Sequence, residues 1–371
     1  MGNKILHICN DWLGSVVYEN QYKELCRLGH EQIIFHPLRH PSKIEAKIQN
    51  FCLPNVQVIY SRKLKTYHKI LFKSKIKFLI EDLNNIDVKS IDVTIATTLF
   101  SDGAVAYELW LKQKIPYIIN VRHTDVSYFL KYRKDLINLA TKILKNATKI
   151  IFISEAIKNN FYNSFFFSNF LQQFKSKSLV LPNGVDQFWL NKINSNIPII
   201  ENKFMFIGKF DKNKNIINTI LALKKIKIKY PDITFDMIGG KGNLHKQVIK
   251  LIENLDWCYF HGEISNKDEL LKVLRKNKFL IMPSIHETFG LVYIEALTQG
   301  LPVLYTKKQG IDGLFECYIG ESSGTDVNSI YQACIKLIQN QNLFNVEKID
   351  FEKFDWNVNA KIISNIVRYE V

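Results

Sequence analysis

Hydrophobic and polar positions along the chain alternate between short apolar runs and longer amphipathic stretches. Short apolar runs predict strands, and stretches with apolar positions every three or four residues predict helices. Strands are predicted in the first half at residues 4–10, 32–36, 56–61, 92–97, 117–121, 149–153 and 178–181. The second half repeats the pattern, with strands predicted at residues 203–207, 234–238, 257–260, 279–282 and 302–305.

The amphipathic stretches between these runs predict the helices. In the first half they include residues 16–28, 127–145 and 155–163. In the second half they fall at residues 214–229, 244–254, 267–277, 291–299 and 328–339, with a last helix from 354 to 369. Strands that alternate with helices build parallel sheets covered by helices. The pattern therefore predicts an α/β protein with two parallel sheets in tandem.

The length of 371 residues exceeds what one hydrophobic core comfortably supports, so we expect two domains. A turn-rich segment, Pro182-Asn183-Gly184, follows a predicted strand and marks the boundary. We assign residues 1–187 to an N-terminal domain, residues 188–352 to a C-terminal domain, and residues 353–371 to a terminal helix.

Composition narrows the class of protein. Hydrophobic residues at 47% and charged residues at 23% are typical of a globular protein, and no apolar stretch approaches the roughly 18 residues of a membrane span. The first residues resemble a strand rather than a signal peptide. Six scattered cysteines form no Cys-x-x-Cys pair, which indicates reduced thiols. We therefore expect a cytoplasmic protein.

The net charge of +15 lies mainly in the first half, where residues 1–187 hold 26 Lys and Arg against 15 Asp and Glu. This excess predicts an anionic partner. Residues 62–78 mix seven basic residues with apolar ones and, as one helical stretch, suit an anionic membrane surface. Aromatic residues at 161–170 are a second candidate. The alternative is an ordinary helix whose Ile70, Phe72 and Phe78 pack inward.

Two glutamates, Glu287 and Glu295, flank the junction of a predicted strand, a short loop and a helix. The amides of Phe289, Gly290 and Leu291 at the start of this helix suit an anion. A carboxylate on each side of an anion pocket matches a ligand with hydroxyls at both ends and phosphate in the middle. A sugar nucleotide has this layout, although spacing alone also fits two glutamates on an exposed helix face.

The longer string from Pro283 to Val303 resembles the nucleotide-sugar signature of family-four retaining glycosyltransferases of the GT-B fold. The resemblance implies two Rossmann-like parallel-sheet domains that face a cleft, with the C-terminal helix crossing back to the first domain. It implies transfer of a sugar from a nucleotide sugar to an acceptor hydroxyl, with retained configuration. It also implies bacterial cell-surface polysaccharide or glycolipid synthesis, with a lipid-linked or glycan acceptor, on the inner face of the cell membrane.

The resemblance assigns roles to four charged residues. Glu295 would bind the ribose hydroxyls and Glu287 the hydroxyls of the transferred sugar, while Lys209 and Lys214 would neutralise the leaving diphosphate. Lys209 stands where the family usually has arginine, so a point charge replaces a bidentate donor. The alternative for both lysines is a solvated cluster that includes Lys212.

Five further residues match the family less closely. Gly240 lies in a glycine turn that matches a loop by the nucleotide base, and His261 and Ile264 fall in the segment that lines the base pocket. Gly14 lies in the loop after the first strand, where a glycine lets the donor substrate approach the backbone closely. His123 matches a histidine near the transferred sugar. The alternatives are a turn residue for His261 and a buried structural histidine for His123.

The sequence lacks the motifs that mark several other kinds of chemistry. No Asp-x-Asp occurs, so we expect no metal requirement and no cofactor beside the nucleotide-sugar co-substrate. No Walker loop or nucleic-acid module is present, and nucleic acid is not an expected partner. Two alternatives share the fold: a GT-B sugar-nucleotide epimerase, and a non-catalytic partner subunit that binds a sugar nucleotide.

Overall fold

The computed structural model describes residues 2–44, 51–84, 86–194, 196 and 202–371. The chain forms two compact units. The N-terminal unit comprises the chain up to Ile153 together with Ile157–Gly184 and Lys353–Val371, and the C-terminal unit comprises Ser154–Ala156 and Val185–Glu352. The predicted boundary at residue 187 falls slightly later than the change of unit at Gly184.

The N-terminal unit contains a sheet of seven strands. They are β1 (Lys4–Ile8), β2 (Glu31–His36), β3 (Val56–Tyr60), β4 (Val93–Ala96), β5 (Tyr117–Val121), β6 (Lys149–Phe152) and β7 (Ser178–Val180). All neighbours pair in parallel, in the order β3-β2-β1-β4-β5-β6-β7. Ile5, Leu6 and Ile8 are fully buried, as expected for a parallel sheet with both faces covered.

Helices connect these strands. They are α1 (Val16–Arg27), α2 (Phe72–Leu83), α3 (Ser101–Gln113), α4 (Leu130–Tyr132), α5 (Ile137–Asn146), α6 (Glu155–Tyr162) and α7 (Leu171–Ser176). Helix α3 packs against both α2 and α5. The three helices therefore form one layer of the N-terminal unit.

The C-terminal unit contains a second parallel sheet, of six strands. They are β8 (Lys203–Lys209), β9 (Thr234–Gly240), β10 (Cys258–Gly262), β11 (Phe279–Ile281), β12 (Val303–Thr306) and β13 (Gly320–Ser323). The strand order is β10-β9-β8-β11-β12-β13. Its helices are α8 (Gln187–Leu190), α9 (Ile216–Lys229), α10 (His245–Ile252), α11 (Lys267–Leu274), α12 (Leu291–Leu297) and α13 (Val327–Gln339).

The last helix, α14 (Trp356–Tyr369), belongs to the N-terminal unit and packs against α1. Asn359 Nδ2 donates to Pro182 O at 2.8 Å, and Gln21 Nε2 donates to Asn359 Oδ1 at 3.1 Å. An added Cβ on Gly184 would lie 2.6 Å from the Trp356 ring, so only glycine leaves room for this packing. The expected return of the C-terminal helix to the first domain is confirmed.

Strand order reverses once in each sheet, between β1 and β4 and between β8 and β11. In open parallel sheets, ligands bind outside the carboxyl ends of the strands at such a reversal. The reversal in the C-terminal unit lies between Lys209, which ends β8, and the loop after β11 that carries Glu287. The fold thus places the predicted motif at the position where this class of sheet binds ligands.

The predicted strands all occur, with ends shifted by about one or two residues, and most helices agree to within about three. Strand β13 was not predicted. Its sequence, Gly-Glu-Ser-Ser, has none of the β-branched or aromatic residues that mark a strand. It forms because its backbone pairs in parallel with β12.

The single helix predicted at 127–145 is wrong. The structure has a π-helical turn at Asp125–Phe129, the short α4, a 3-10 turn at Lys134–Leu136, and then α5. Arg133 leaves helical geometry, and its guanidinium bonds both carboxylate oxygens of Asp135 at 2.8 and 2.9 Å. The helical backbone is therefore interrupted at Arg133, which has φ -117° and ψ 57°.

The basic run at 62–78 is also not one helix. A 3-10 turn covers Thr66–Lys69, and α2 begins only at Phe72. Phe72 packs inward and Phe78 is half-buried, whereas Ile70 is 77% exposed. In the aromatic candidate at 161–170, Phe161 and Phe167 are buried, whereas Phe165 is 87% exposed. The stretch is thus only partly exposed, and its role at a membrane stays a prediction.

Candidate functional site

Glu287 and Lys214 form an ion pair beyond the carboxyl ends of the C-terminal strands. Lys214 Nζ lies 2.7 Å from Glu287 Oε2, and the two side chains are 25% and 12% exposed. Ser284 Oγ donates to the same carboxylate oxygen at 3.2 Å. The carboxylate is therefore held in place by a cation and a hydroxyl.

Asn213 ties the loop after β8 to the loop after β11. Its side-chain oxygen accepts from His286 N, and its side-chain nitrogen donates to His286 O, both at 3.0 Å. The carbonyl of Asn213 accepts from Ile285 N at 2.7 Å. Because Asn213 precedes Lys214 and His286 precedes Glu287, these bonds fix the two charges relative to each other.

The turn after β12 holds the backbone of Glu287. Gln309 Oε1 accepts from Glu287 N at 2.7 Å, and Gln309 Nε2 donates to Ile285 O at 2.8 Å. Gly310 N donates to Glu287 O at 3.2 Å. Neither Gln309 nor Gly310 stands in a motif that predicts this contact. The signal in the sequence is a glycine, Gly310, shortly after a strand, and this glycine adopts φ +54°.

Gly290 lets the chain turn sharply between Glu287 and α12. It has φ +82°, and an added Cβ would lie 2.4 Å from the Tyr293 ring and 3.3 Å from Glu287 Cγ. Tyr293 is buried, and its hydroxyl donates to Met282 O at 2.5 Å. A larger residue at Gly290 must therefore displace either the ring or the carboxylate.

The other two residues of the predicted anion site flank Gly290. Phe289 is buried, and Leu291 is the half-buried first residue of α12. Their side chains anchor the turn, and the role of their amides in anion binding stays a prediction.

Lys209 ends β8 with an exposed side chain, and its backbone pairs with Gly240 of β9. The ion pair of Glu287 is made with Lys214 rather than Lys209. Strands β8 and β9 approach closely here, because an added Cβ on Gly239 would lie 2.2 Å from Gly208 O. Gly239 and Gly240, predicted as a turn beside the nucleotide base, therefore belong to β9 and lie close to β8.

Aromatic side chains surround Gly240. The rings of Phe210 and His245 are 5.8 Å apart and nearly parallel, and Phe260 lies 5.3 Å from Phe210 and 5.6 Å from His245. Phe260 is 36% exposed. Aromatic faces beside a glycine can stack a nucleotide base.

His261 is bound to the neighbouring strand. Its Nε2 lies 2.5 Å from Asp236 Oδ1, and Asn277 Nδ2 donates to Asp236 Oδ2 at 2.7 Å. Ile264 follows beyond the end of β10 and is half-buried. These contacts give His261 a local structural partner, and a role of His261 or Ile264 in donor binding stays a prediction.

Glu295 lies in α12 near a different ion pair. Asp186 Oδ2 and Lys267 Nζ are 2.5 Å apart. Burial raises the pKa of Glu295 to about 7, and the charge of Asp186 adds to this shift while that of Lys267 opposes it. Glu287 and Glu295 therefore occupy different electrostatic environments, which the spacing of the motif does not reveal.

Two candidates lie in the N-terminal unit. Gly14 follows β1, its N–H donates to Asp11 O at 3.0 Å, and an added Cβ would lie 2.4 Å from Asp11 Oδ1. His123 follows β5 and is half-buried. The role of Gly14 in donor binding and that of His123 beside the transferred sugar stay predictions.

Asp125, two residues after His123, fixes the loop between β5 and α4. Its carboxylate accepts from Arg122 N at 2.9 Å, Leu99 N at 3.1 Å and Phe100 N at 3.3 Å. Burial raises the pKa of Asp125 to about 7, and these three bonds oppose the shift. The carboxylate therefore holds the ends of β4 and β5 together.

The described residues form neither a grouped metal site nor a membrane-spanning helix. Across the residues that the structure describes, no three His, Cys, Asp or Glu side chains are grouped to hold a metal ion. No helix within the described ranges combines the length and apolar character needed to cross a bilayer.

Comparison with known proteins defines the class. The family described as Glycosyltransferase Family 4 matches residues 14–187, and the family described as Glycosyl transferases group 1 matches residues 187–343. An uncharacterized glycosyltransferase of Methanocaldococcus jannaschii is 28% identical over 342 residues, which cover 88% of this chain and 84% of that protein.

Two solved structures share the fold along the chain. The apo form of the lipopolysaccharide outer core galactosyltransferase WaaB has a TM-score of 0.69 at 15% identity and covers 100% of both chains. Anabaena HepE, in complex with UDP and glucose, has a TM-score of 0.66 at 14% identity and covers 99% of this chain and 100% of its own. At such identities the likeness shows the fold alone.

The two family matches and the two parallel-sheet units define a glycosyltransferase of the GT-B fold. Within this class, the chain belongs to the family-four-like glycosyltransferases. The family and the fold expected from the sequence are thereby confirmed.

Proposed function

We propose that the protein is a retaining glycosyltransferase that moves a sugar from a nucleotide-sugar donor to an acceptor hydroxyl. The observation that carries this proposal is the Glu287–Lys214 pair, 2.7 Å apart at the strand-order reversal of the C-terminal sheet. A carboxylate and an ammonium so placed suit a ligand that joins sugar hydroxyls to phosphate. UDP and glucose in HepE, a protein of the same fold, support this class of donor.

The acidic residues bind hydroxyls of the donor, and the basic residues bind its diphosphate. The Glu287 carboxylate accepts hydrogen bonds from hydroxyls of the transferred sugar, and Glu295 accepts from the ribose. Lys214 and Lys209 neutralise the diphosphate, with the amides around Gly290 as further donors. Stabilisation of the leaving diphosphate is then the main catalytic effect, and no resident metal ion is needed.

Transfer breaks the bond between the anomeric carbon and the diphosphate oxygen, and forms a bond from that carbon to the acceptor oxygen. The acceptor attacks on the face that the diphosphate leaves, so the configuration is retained. A phosphate oxygen takes the acceptor proton. His123 is the residue of the N-terminal unit that we propose to contact the transferred sugar.

The setting we propose is cell-surface polysaccharide or glycolipid synthesis, with a lipid-linked or glycan acceptor, by a cytoplasmic protein that binds the inner face of the membrane. The likeness to a lipopolysaccharide galactosyltransferase and the excess of basic residues in the first half support this setting.

Proton NMR of the products tests the reaction. The protein is incubated with nucleotide sugars and a panel of glycan and glycolipid acceptors, and anomeric coupling constants are read in the product. We expect a new glycoside with the configuration of the donor, and a product of opposite configuration would refute retention. An altered nucleotide sugar without a glycoside would support the epimerase, and binding without any product would support the partner subunit.

A further inference from the structure

An apolar groove runs along the helical layer of the N-terminal unit. It lies between α2 and α5, has a volume of about 680 Å³, and has α3 along its floor. Its apolar lining comes from Ile76 and Ile80 of α2, Ala104 of α3, and Leu136 and Leu139 at the start of α5. This volume is in the range of pockets that hold small ligands.

Basic side chains stand along the groove. Lys73 and Lys77 of α2, Lys112 of α3 and Lys142 of α5 line the groove, and all four are exposed. The acidic residues of its lining are Glu81, Glu108 and Asp135. One of these acids, Asp135, is engaged by Arg133 at 2.8 Å. The groove is therefore apolar along its length and rich in charge at its rim.

Exposed apolar residues adjoin one end of the groove. Ile70 is 77% exposed and Leu71 is 55% exposed, and they directly precede Phe72, which lines the groove. Tyr128 and Tyr132 are 51% and 61% exposed, with their rings 5.7 Å apart. Large exposed apolar side chains grouped in this way are typical of an interaction surface.

The two exposed segments belong to one surface. The Arg133 guanidinium lies 5.9 Å from the centre of the Phe72 ring, which joins the chain after Tyr132 to the chain after Leu71. We call the four residues Ile70, Leu71, Tyr128 and Tyr132 the docking patch. Cations stand within or beside its two segments, at Lys69, Lys73, Lys131, Arg133 and Lys134.

We infer that the groove holds the hydrocarbon chain of an anionic lipid, while the docking patch lies on the lipid surface. Aliphatic and tyrosine side chains among lysines and arginines match the boundary between acyl chains and anionic headgroups. A chain that leaves this boundary enters the groove beside Phe72 and lies on its apolar lining. The inference rests on the proposed function, for which it identifies a lipid-linked acceptor.

Two variants test the roles of the groove and of the docking patch separately. Leu139→Trp fills the groove from a half-buried position, and Ile70→Ser with Leu71→Ser removes the aliphatic half of the patch. The matched control is Ile228→Ser, which removes an equally apolar side chain that is 85% exposed in the C-terminal unit. None of these side chains is part of the proposed donor site.

Calorimetric titration with alkyl phosphates tests the groove. We expect dodecyl phosphate to bind the wild-type protein more than about tenfold tighter than butyl phosphate, because only the longer chain fills the groove. Leu139→Trp should remove this preference, and Ile228→Ser should keep it. Equal binding of both phosphates would indicate a headgroup site alone and would overturn the inference, as would unchanged binding by Leu139→Trp.

Sedimentation with vesicles tests the docking patch. Vesicles that contain phosphatidylglycerol should bind the wild-type protein and Ile228→Ser, and should bind the Ile70→Ser, Leu71→Ser variant about tenfold more weakly. Equal binding of all three proteins would contradict the assignment. So would self-association in lipid-free buffer that is lost in the patch variant, because the surface would then join two copies of the chain.

The shift of melting temperature that nucleotide sugars cause distinguishes a failure of the lipid inference from a failure of the proposed function. It reports on the C-terminal unit and should be the same in all three variants and in the wild-type protein. Loss of lipid binding with an intact shift would overturn only the lipid inference. An absent shift in the wild-type protein would count against the proposed function, whatever the lipid experiments give.

Discussion

Among single side chains, the Glu287 carboxylate makes the contacts that matter most to the proposed reaction. We predict that Glu287→Ala lowers kcat/KM by about 10- to 150-fold, because charge-assisted hydrogen bonds to the donor are worth about 1.5–3 kcal/mol. Steady-state kinetics with the preferred donor measures the change. Glu295→Ala should lower kcat/KM to a similar extent for the same reason.

A control for this prediction is Glu24→Ala. Glu24 pairs with Arg27 at 2.5 Å and its side chain is 14% exposed, close to the 12% of Glu287. It lies in α1 and is not one of the proposed donor-binding residues. The control should keep wild-type kinetics, and equal kinetics in a well-folded Glu287→Ala protein would refute the site assignment.

The raised pKa of Glu295 predicts a dependence of donor binding on pH. Only the ionised carboxylate accepts hydrogen bonds at both oxygens, and burial raises its pKa to about 7. Donor affinity should therefore increase as the pH rises through about 7 and then level off. Calorimetric titration between pH 6 and pH 8 should show this rise in the wild-type protein and a flat profile in Glu295→Gln.

The raised pKa of Glu295 also predicts how the stability of the folded protein changes with pH. The folded-state pKa of about 7 lies above the ordinary value of 4.5, so the folded protein binds the proton more tightly than the unfolded chain. Wild-type stability should therefore fall, relative to Glu295→Gln, as the pH rises from about 4.5 to about 7. Melting temperatures that differ between the two proteins by the same amount at both ends of this range would contradict the burial of Glu295.

The charged residues of the candidate site can be predicted from the sequence, whereas the residues that hold them in place cannot. Glu287 and Gly290 stand in a recognisable motif, and Lys214 begins a predicted helix. Asn213 and Gln309 escaped notice because their contacts to the Glu287 loop join distant parts of the chain through side-chain geometry. Contacts of that kind leave no periodic pattern in the sequence.

At the level of secondary structure elements, the turn into α12 predicts a specific loss in Gly290→Ala. Strain at φ +82° costs about 1–2 kcal/mol of folding free energy, and the added Cβ, 2.4 Å from the Tyr293 ring, must also displace Tyr293 or Glu287. We expect lower stability together with a loss of activity of more than about tenfold. Denaturant unfolding and kinetics measure the two effects separately.

Gly29→Ala is the matched control for this turn. Gly29 has φ +86°, and an added Cβ would meet nothing within 4 Å. It should lose a similar amount of stability from backbone strain and keep full activity. If Gly290→Ala also lost stability but kept full activity, the added Cβ would not displace Glu287 from the position that the proposed reaction needs.

The sequence predicted most elements because buried parallel strands and amphipathic helices have strong hydrophobic periods. The errors lie where hydrophobic periodicity does not locate an element or its ends. Polar β13 is held by backbone pairing, the stretch at 127–145 is broken beside the Arg133–Asp135 pair, and the run at 62–78 enters α2 only at Phe72. A basic and apolar composition does not by itself locate a helix end.

For the whole molecule, we predict transfer without a divalent metal ion. Lys209, Lys214 and backbone amides supply the positive charge that neutralises the diphosphate. Activity should persist after exhaustive chelation. Mild stimulation by magnesium is compatible with this account because the ion pairs with free nucleotide, whereas complete loss restored only by a divalent ion would contradict it.

The central claim, that the C-terminal unit binds a nucleotide sugar, is tested most directly by the melting temperature of the wild-type protein in a panel of nucleotide sugars. Ligand at about 100 times its Kd stabilises a protein by about 2.7 kcal/mol, which for a chain of this length corresponds to a shift of about 3 °C or more. We predict such a shift for nucleotide sugars of one base and none for the matching free sugars. No shift with any nucleotide sugar at millimolar concentration would contradict the account.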